Sequence, residues 1–250
     1  MTLLWVGLAA FFAGLVDAMV GGGGLIQLPS LLLLYPDHPV AVLMGSNKIA
    51  SIAGTSLAFF RYMRRVPVDW RGVAPTAATA FAGSLLGAWT VTQVPSGFMR
   101  PLALLLLILV ATYTFWNKNL GVEGTFKSGL SLSLGVILGS TIGFYDGFFG
   151  PGTGSFLVFA FVSLGGMNFL GASAAAKLVN VSTNLAALAI FLPAGDVDWR
   201  LGVVMAACNM TGAFLGTRIA LRHGARLVRG LFMLVVLGFV AKLGWDLWNR

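Results

Sequence analysis

Apolar stretches close to the length of a membrane span follow one another along almost the whole chain. About 20 consecutive apolar residues in a helix cross the hydrocarbon core of a bilayer. Candidate segments are Leu3–Val20, Val40–Phe60, Gly72–Val91, Pro101–Phe115, Leu130–Phe149, Gly171–Phe191, Leu201–Ile219 and Gly230–Gly244. Only 10% of the residues are charged, whereas a soluble domain carries about a quarter. The sequence therefore predicts an all-α, polytopic integral membrane protein with about 8–10 membrane segments.

The net charge of +8 has a different meaning in such a chain than in a soluble protein. The basic residues lie mostly in short loops, which is the distribution that the positive-inside rule describes. We therefore expect the lipid bilayer, and not nucleic acid, as the macromolecular surroundings, in a bacterial inner membrane. The single cysteine, Cys208, excludes an internal disulfide and a cysteine-rich metal site, and no cofactor is predicted.

The chain repeats itself after a shift of 129 residues, which places Asp17 on Asp146 and Lys48 on Lys177. Other rare residues match at the same shift: Val68–Arg71 with Val197–Arg200, Arg100 with Arg229, and Trp116 with Trp245. Internal repeats are typical of secondary transporters. We predict a first repeat over residues 1–120, a linker over 121–129 and a second repeat over 130–250, together forming one membrane domain.

The arginines indicate how the two repeats are oriented. Residues 61–71 hold four arginines while the matching residues 190–200 hold one, and the next loop reverses this, with one in 92–100 and four in 218–229. Opposite orientations satisfy the positive-inside rule best. They place ten basic residues inside and four outside, against nine and five for parallel repeats. We predict two inverted repeats, each with a glycine-broken helix hairpin plus three transmembrane helices, and both termini outside the cytoplasm.

A glycine cluster follows the first apolar segment of each repeat, at residues 21–24 and 150–154, and a short apolar segment comes next. Broken backbone in a membrane is tolerated where it is covered by protein or lines a wet cavity. The break exposes N–H groups that bind anions, although glycine clusters also permit tight helix packing. The candidate anion-binding residues at the two breaks are Gly23, Gly24, Gln27, Thr153, Gly154 and Ser155.

Each repeat also has a lysine in the middle of an apolar segment. Lys48 is the ninth residue of Val40–Phe60, and Lys177 is at the matching place. A lysine at helix centre costs roughly 2.5–3.5 kcal/mol on insertion scales, so a functional role is the first hypothesis. Polar neighbours on the same helices complete the predicted site for a small, oxygen-rich anion: Asn47, Ser51, Thr55, Asn180 and Asn184. Alternatively, each lysine pairs with Asp17 or Asp146, or extends to the interface.

Asp17 and Asp146 stand directly before the breaks, at the end of a helix where the dipole disfavours a negative charge. We expect them to cap freed N–H groups across the break or to carry a coupling ion, either a proton or sodium. Asp69 and Asp198 precede Trp-Arg at the start of a segment and are predicted to be helix N-caps.

These motifs carry a family resemblance. Residues 14–29, residues 143–156 and the run Lys177–Asn184 resemble the TauE/SafE sulfite-exporter family, and the resemblance covers almost the whole chain. It implies a transporter of sulfur-containing anions such as sulfite, sulfonates or thiosulfate, or of related organic anions. The residues themselves indicate an anion, and only the resemblance supplies sulfur.

The leading hypothesis is a secondary transporter with alternating access around a site at the membrane midplane, with a homo-oligomer as one possible assembly. A passive anion channel, a carrier of a non-sulfur anion and a non-transporting partner subunit are the alternatives. An enzyme is not predicted, because Ser155 has no histidine within a membrane segment to act as its base.

Overall fold

The structure is a computed structural model that describes residues 1–116 and 130–223. Within these ranges the chain forms nine helices and no strand, which confirms the all-α prediction. The helices are α1 (Thr2–Val20), α2 (Gly24–Leu34), α3 (Val40–Met63), α4 (Trp70–Gln93), α5 (Ser96–Trp116), α6 (Leu132–Phe148), α7 (Thr153–Ser163), α8 (Phe169–Ala194) and α9 (Trp199–His223). The predicted linker 121–129 and the segment Gly230–Gly244 lie outside the described residues.

Helix length and hydropathy are those of a membrane protein. In the described part of the chain, three helices are both long and apolar enough to span a bilayer: Thr2–Val20, Phe169–Ala194 and Trp199–Arg222. Two others, α2 and α7, have 11 residues each, so at about 1.5 Å per residue they cross only half of the hydrocarbon core. These half-length helices follow the two glycine clusters, where the sequence places short apolar segments.

The helices from residues 1–116 pack mainly on those from residues 130–223. Helix α1 packs along α9, and α4 packs along α6. Helix α4 is the counterpart of α9 in the first half. Helix α3 contacts α8 and α9, while α8 also contacts α4. Helices of one half therefore pack between helices of the other, and α3 and α8 contact each other at the centre of the bundle.

Glycines at the contacts allow α4 to pack closely on α6 and α1 on α9. The face of α6 toward α4 carries glycines at every fourth position: Gly135, Gly139, Gly143 and Gly147. A methyl group on Gly147 would overlap the backbone of Ser84, and one on Gly212 of α9 would overlap the backbone of Phe11 of α1. Such contacts between small residues are the usual basis of helix association in membranes, where lipid is as apolar as leucine.

Large apolar side chains cover the outside of the bundle. Exposed examples from six different helices are Trp5, Leu86, Leu105, Ile137, Leu185 and Val203. Lipid chains solvate such a surface, whereas water does not. Composition, helix length and this surface agree that the chain is an integral membrane protein.

Candidate functional site

The two helix breaks meet at the centre of the molecule. Gly21 and Gly22 end α1 with φ angles of 79° and 88°, and Gly150 and Gly152 follow α6 with φ angles of 94° and 86°. Only glycine adopts such angles without strain. A side chain at Gly21 would also overlap the backbone of Gly154. The glycine clusters therefore serve two purposes, since they turn the chain and let the two breaks touch.

A small polar cavity of about 40 Å³ lies where the breaks meet. Backbone from both breaks and residues of α1, α2, α3, α6, α7, α8 and α9 form its wall. The lining residues are Asp17, Gly22, Gly23, Gly24, Gln27, Asn47, Lys48, Ser51, Thr55, Asp146, Gly150, Gly152, Thr153, Gly154, Asn180, Asn184 and Asn209. The cavity thus brings together most of the polar residues that the sequence singles out.

Lys48 reaches from α3 to the end of α6. Its ammonium group donates to the carboxylate Oδ2 of Asp146 at 2.9 Å and to the backbone oxygen of Asp146 at 2.7 Å. The side chains of Lys48 and Asp146 are 3% and 7% exposed, and both line the cavity. A cation at this place also stabilises the carbonyl groups that are left free at a helix C-terminus.

Lys177 makes the same contacts with the other half. Its ammonium group donates to Oδ2 of Asp17 at 2.8 Å and to the backbone oxygen of Asp17. The Asp17 carboxylate also accepts from the N–H of Gly23 and the hydroxyl of Thr55, each at 3.4 Å. The Gly23 contact spans the break, which is the capping role expected of this aspartate. Each lysine is therefore paired with an aspartate of the opposite half.

Lys177 and Ser155 are the two predicted site residues that do not line the cavity. Lys177 is completely buried beneath Asp17. The hydroxyl of Ser155 donates to the backbone oxygen of Val20 at 3.3 Å and joins the two breaks. The structure thus places one lysine at the cavity wall and the other behind an aspartate that forms the wall.

Neutral amides line much of the remaining wall. Asn47, Asn180 and Asn184 are each at least 90% buried. The Oδ1 atoms of Asn47 and Asn180 have no hydrogen-bond partner among the described residues. A buried polar atom without a partner costs about 1–3 kcal/mol in the free energy of folding.

Sequence reasoning missed one polar side chain of the lining, that of Asn209 in the middle of α9. Its Nδ2 donates to Oε1 of Gln27 on α2 at 3.0 Å. The matching position in the first repeat is Ala80, so the comparison of the repeats gave no sign of it. A polar amide near the centre of an apolar span was the available signal.

The remaining polar residues have local roles. The Asp69 carboxylate accepts from the N–H of Arg71 at 3.1 Å, and that of Asp198 accepts from the N–H of Leu201 at 3.1 Å. Both aspartates are thus N-caps, as predicted. Within the described residues, no cluster of three or more His, Cys, Asp or Glu is arranged to hold a metal.

Two broken helices around a buried polar cavity, inside a bundle with a lipid-facing surface, are the architecture of a membrane transporter. The comparisons with known proteins give the family. The family model for the sulfite exporter TauE/SafE matches residues 6–243. The chain belongs to this family.

Relatives from several bacteria match almost the whole chain. It is 35% identical over 241 residues to the probable membrane transporter protein ORF9 of a Sinorhizobium species, covering 96% of this chain and 92% of that one. It is 35% identical over 239 residues to the probable membrane transporter YfcA of Escherichia coli, covering 95% and 87%. A probable membrane transporter of Haemophilus influenzae is 34% identical over 236 residues, covering 94% and 92%. No solved structure matches significantly.

These relatives agree with the apolar helices about where the protein lies. Each of the three is named as a probable membrane transporter, and all come from bacteria. The chain is accordingly an integral protein of the bacterial inner membrane.

Proposed function

We propose that this protein is a secondary transporter that carries a small sulfur-containing anion, of the sulfite, thiosulfate or sulfonate type, through the cavity between its two broken helices. The observation that carries the proposal is the cavity wall itself. It combines the ammonium group of Lys48 with hydroxyl and amide groups, and with the open N-termini of α2 and α7. Hydrogen-bond donors and helix N-termini of this kind suit an oxyanion. The activity is transport and involves no covalent step.

An anion must compete with Asp146 for Lys48. The two lysine–aspartate pairs together are electrically neutral, so a monovalent anion would bring one uncompensated negative charge into the buried site. Burying an unpaired charge is costly. Opening of the Lys48–Asp146 contact would expose the ammonium group to the anion, and the released carboxylate would be the place for a coupling cation, either a proton or sodium.

An inverted arrangement of the two halves is part of the proposal, because alternating access in such transporters comes from rocking of inverted halves around a central site. Two contacts support it. Near the start of α3, the Ser46 hydroxyl accepts from the N–H of Asp198 at 2.8 Å, and near its end, Arg61 lies 4.0 Å from the ring centre of Phe214. Helices α3 and α9 therefore run parallel. The proposed inversion requires α4, which follows α3 after a short loop, to run opposite to α9, its counterpart in the other half.

The transport proposal is tested in proteoliposomes that contain the purified protein. Vesicles preloaded with unlabelled sulfite should take up ³⁵S-sulfite by counterflow, and the initial rate should saturate with sulfite concentration. Counterflow requires a site that alternates between the two sides. Flux that is linear in concentration and shows no counterflow would indicate a passive channel, and an absence of flux for sulfite, thiosulfate and taurine alike would contradict the proposal.

The inverted arrangement is tested by cysteine labelling in a Cys208→Ser background. Arg64→Cys and Arg222→Cys should both react with an impermeant maleimide from the cytoplasmic side, because the ends of α3 and α9 lie together. Asp196→Cys, at the start of α9, is the matched control and should react from the other side. Labelling of residues 64 and 222 from opposite sides would exclude inversion.

A further inference from the structure

We infer that Asn209 is a positioning residue that holds the Gln27 carboxamide with its NH₂ group available to an anion in the cavity. The inference rests on the proposed anion site and assigns to that site a recognition pair, Gln27 and Asn209. Gln27 would contact the anion directly, while Asn209 would act through Gln27.

The hydrogen bonds of the pair leave the Gln27 NH₂ group with only a weak acceptor among the described residues. Nδ2 of Asn209 donates to Oε1 of Gln27 at 3.0 Å, so the acceptor atom of Gln27 is engaged. For Nε2 of Gln27, the acceptor among the described residues is Sδ of Met205 at 3.5 Å. A thioether is a weak acceptor, whereas hydrogen bonds to a charged oxygen are about twice as strong as neutral ones. The Gln27 NH₂ group therefore has much to gain from an oxyanion.

The protein fixes Asn209 tightly enough for it to control Gln27. Oδ1 of Asn209 lies against Gly54 of α3, where a methyl group would overlap it, and a methyl group on Gly14 of α1 would lie 2.8 Å away. Asn209 itself is only 4% exposed. Held between three helices, its amide cannot turn away from Gln27, so the orientation of the Gln27 carboxamide follows from it.

The matching positions of the two repeats show that the fold does not require this pair. At the matching positions, Gln27 is replaced by Phe156 and Asn209 by Ala80. Ala80 still packs closely on Gly143 of α6, so α4 and α6 pack together without any amide. A buried polar pair that is absent from the equivalent helix crossing is explained better by a ligand than by packing.

The test measures sulfite binding to the purified full chain in nanodiscs by anaerobic calorimetry. Asn209→Leu and Gln27→Met should each weaken binding by about tenfold or more, the range for one hydrogen bond to a charged group. The double variant should bind no more weakly than Gln27→Met alone, because Asn209 acts only through Gln27. Asn209→Asp serves as a second variant of nearly unchanged size. Its carboxylate would accept from the Gln27 NH₂ group and turn that group away from the cavity, so binding should weaken as in Asn209→Leu.

Ser84→Ala is the matched control. It removes a buried hydrogen bond between α4 and α8, from the Ser84 hydroxyl to the backbone oxygen of Thr183 at 2.7 Å, and Ser84 does not line the cavity. It should lower the melting temperature without changing sulfite affinity. Additive losses in the double variant, or an equal loss of affinity in Ser84→Ala, would overturn the inference and leave the anion site intact. A natural chain that binds neither sulfite, thiosulfate nor taurine would overturn the anion site itself.

Discussion

The two lysine–aspartate pairs have the same geometry but different surroundings. Lys48 and Asp146 both line the cavity, and the Asp146 carboxylate has Lys48 as its hydrogen-bond donor among the described residues. Lys177 has no surface on the cavity, and its partner Asp17 accepts further bonds from Gly23 and Thr55. In the first pair both partners line the cavity, while in the second only Asp17 does, and further bonds hold its carboxylate.

This difference separates what the duplicated sequence provides from what the site requires. Each pair links the end of a broken helix to the opposite half and provides a donor for a carbonyl group that the break leaves free. The fold needs such a contact at both breaks. In the proposed anion site, Lys48 would exchange its carboxylate partner for the anion, whereas Lys177 does not line the cavity. The pair formed by Gln27 and Asn209 likewise has no counterpart at the matching positions, Phe156 and Ala80, so the site has one side richer in donors than the other.

The largest expected effect concerns the stability that the pair of Lys177 and Asp17 provides. Asp17→Ala would leave the ammonium group of Lys177 buried without its carboxylate, at a cost of about 3–5 kcal/mol in the free energy of unfolding. Asp146→Ala should cost less, because Lys48 faces the cavity, where water or an anion can solvate it. The melting temperatures of the two variants in detergent, with and without sulfite, make the comparison.

Sulfite should raise the melting temperature of Asp146→Ala more than that of Asp17→Ala. Equal destabilisation of the two variants and equal recovery with sulfite would mean that the pairs are equivalent after all.

A smaller effect is expected at Gly54, which makes room for Asn209. Gly54→Ala would overlap the carboxamide of Asn209, and such overpacking costs about 1–3 kcal/mol in stability. The matching residue in the other half is Thr183, so the restriction comes from Asn209 and not from the helix crossing. Thermal unfolding of the purified variants measures this cost.

Gly97→Ala is the control, because nothing lies within 4 Å of the added methyl group, and it should be neutral or slightly stabilising. The double variant Gly54→Ala, Asn209→Ala should recover most of the lost stability. No recovery would show that another contact restricts position 54.

The smallest effect concerns affinity. Asp146→Asn would remove the carboxylate that competes with the anion for Lys48, and sulfite should bind about tenfold more tightly, equivalent to 1.4 kcal/mol. Asp17→Asn frees Lys177, which is not at the cavity wall, so the gain should be smaller. Calorimetric titration of both variants would test this, and equal gains would mean that both lysines reach the ligand.

Much of the fold follows from local sequence features. Apolar length predicts the helices, the glycine clusters predict the breaks, and lysines at mid-helix mark the centre of the molecule. These features depend on solvation and backbone conformation, which a single segment determines. The N-caps Asp69 and Asp198 were predictable for the same reason.

The partners of the charged residues could not be predicted in this way. Aligning the chain with itself shows that Lys48 corresponds to Lys177, but correspondence does not give contact, and each lysine crosses to the opposite half. Asn209 was missed because its counterpart Ala80 is apolar. Which lysine faces the cavity depends on side-chain packing around the two breaks, where the halves differ.

The most direct test of the central claim compares two variants that each remove one complete pair and so keep the net charge unchanged. Sulfite binding is measured for Lys48→Met, Asp146→Asn and for Lys177→Met, Asp17→Asn, in nanodiscs. We expect the first variant to lose at least about 30-fold in affinity, as is usual when a buried charge contact is removed, and the second to bind nearly as tightly as the natural chain. Unchanged binding in the first variant, or an equal loss in both, would contradict it.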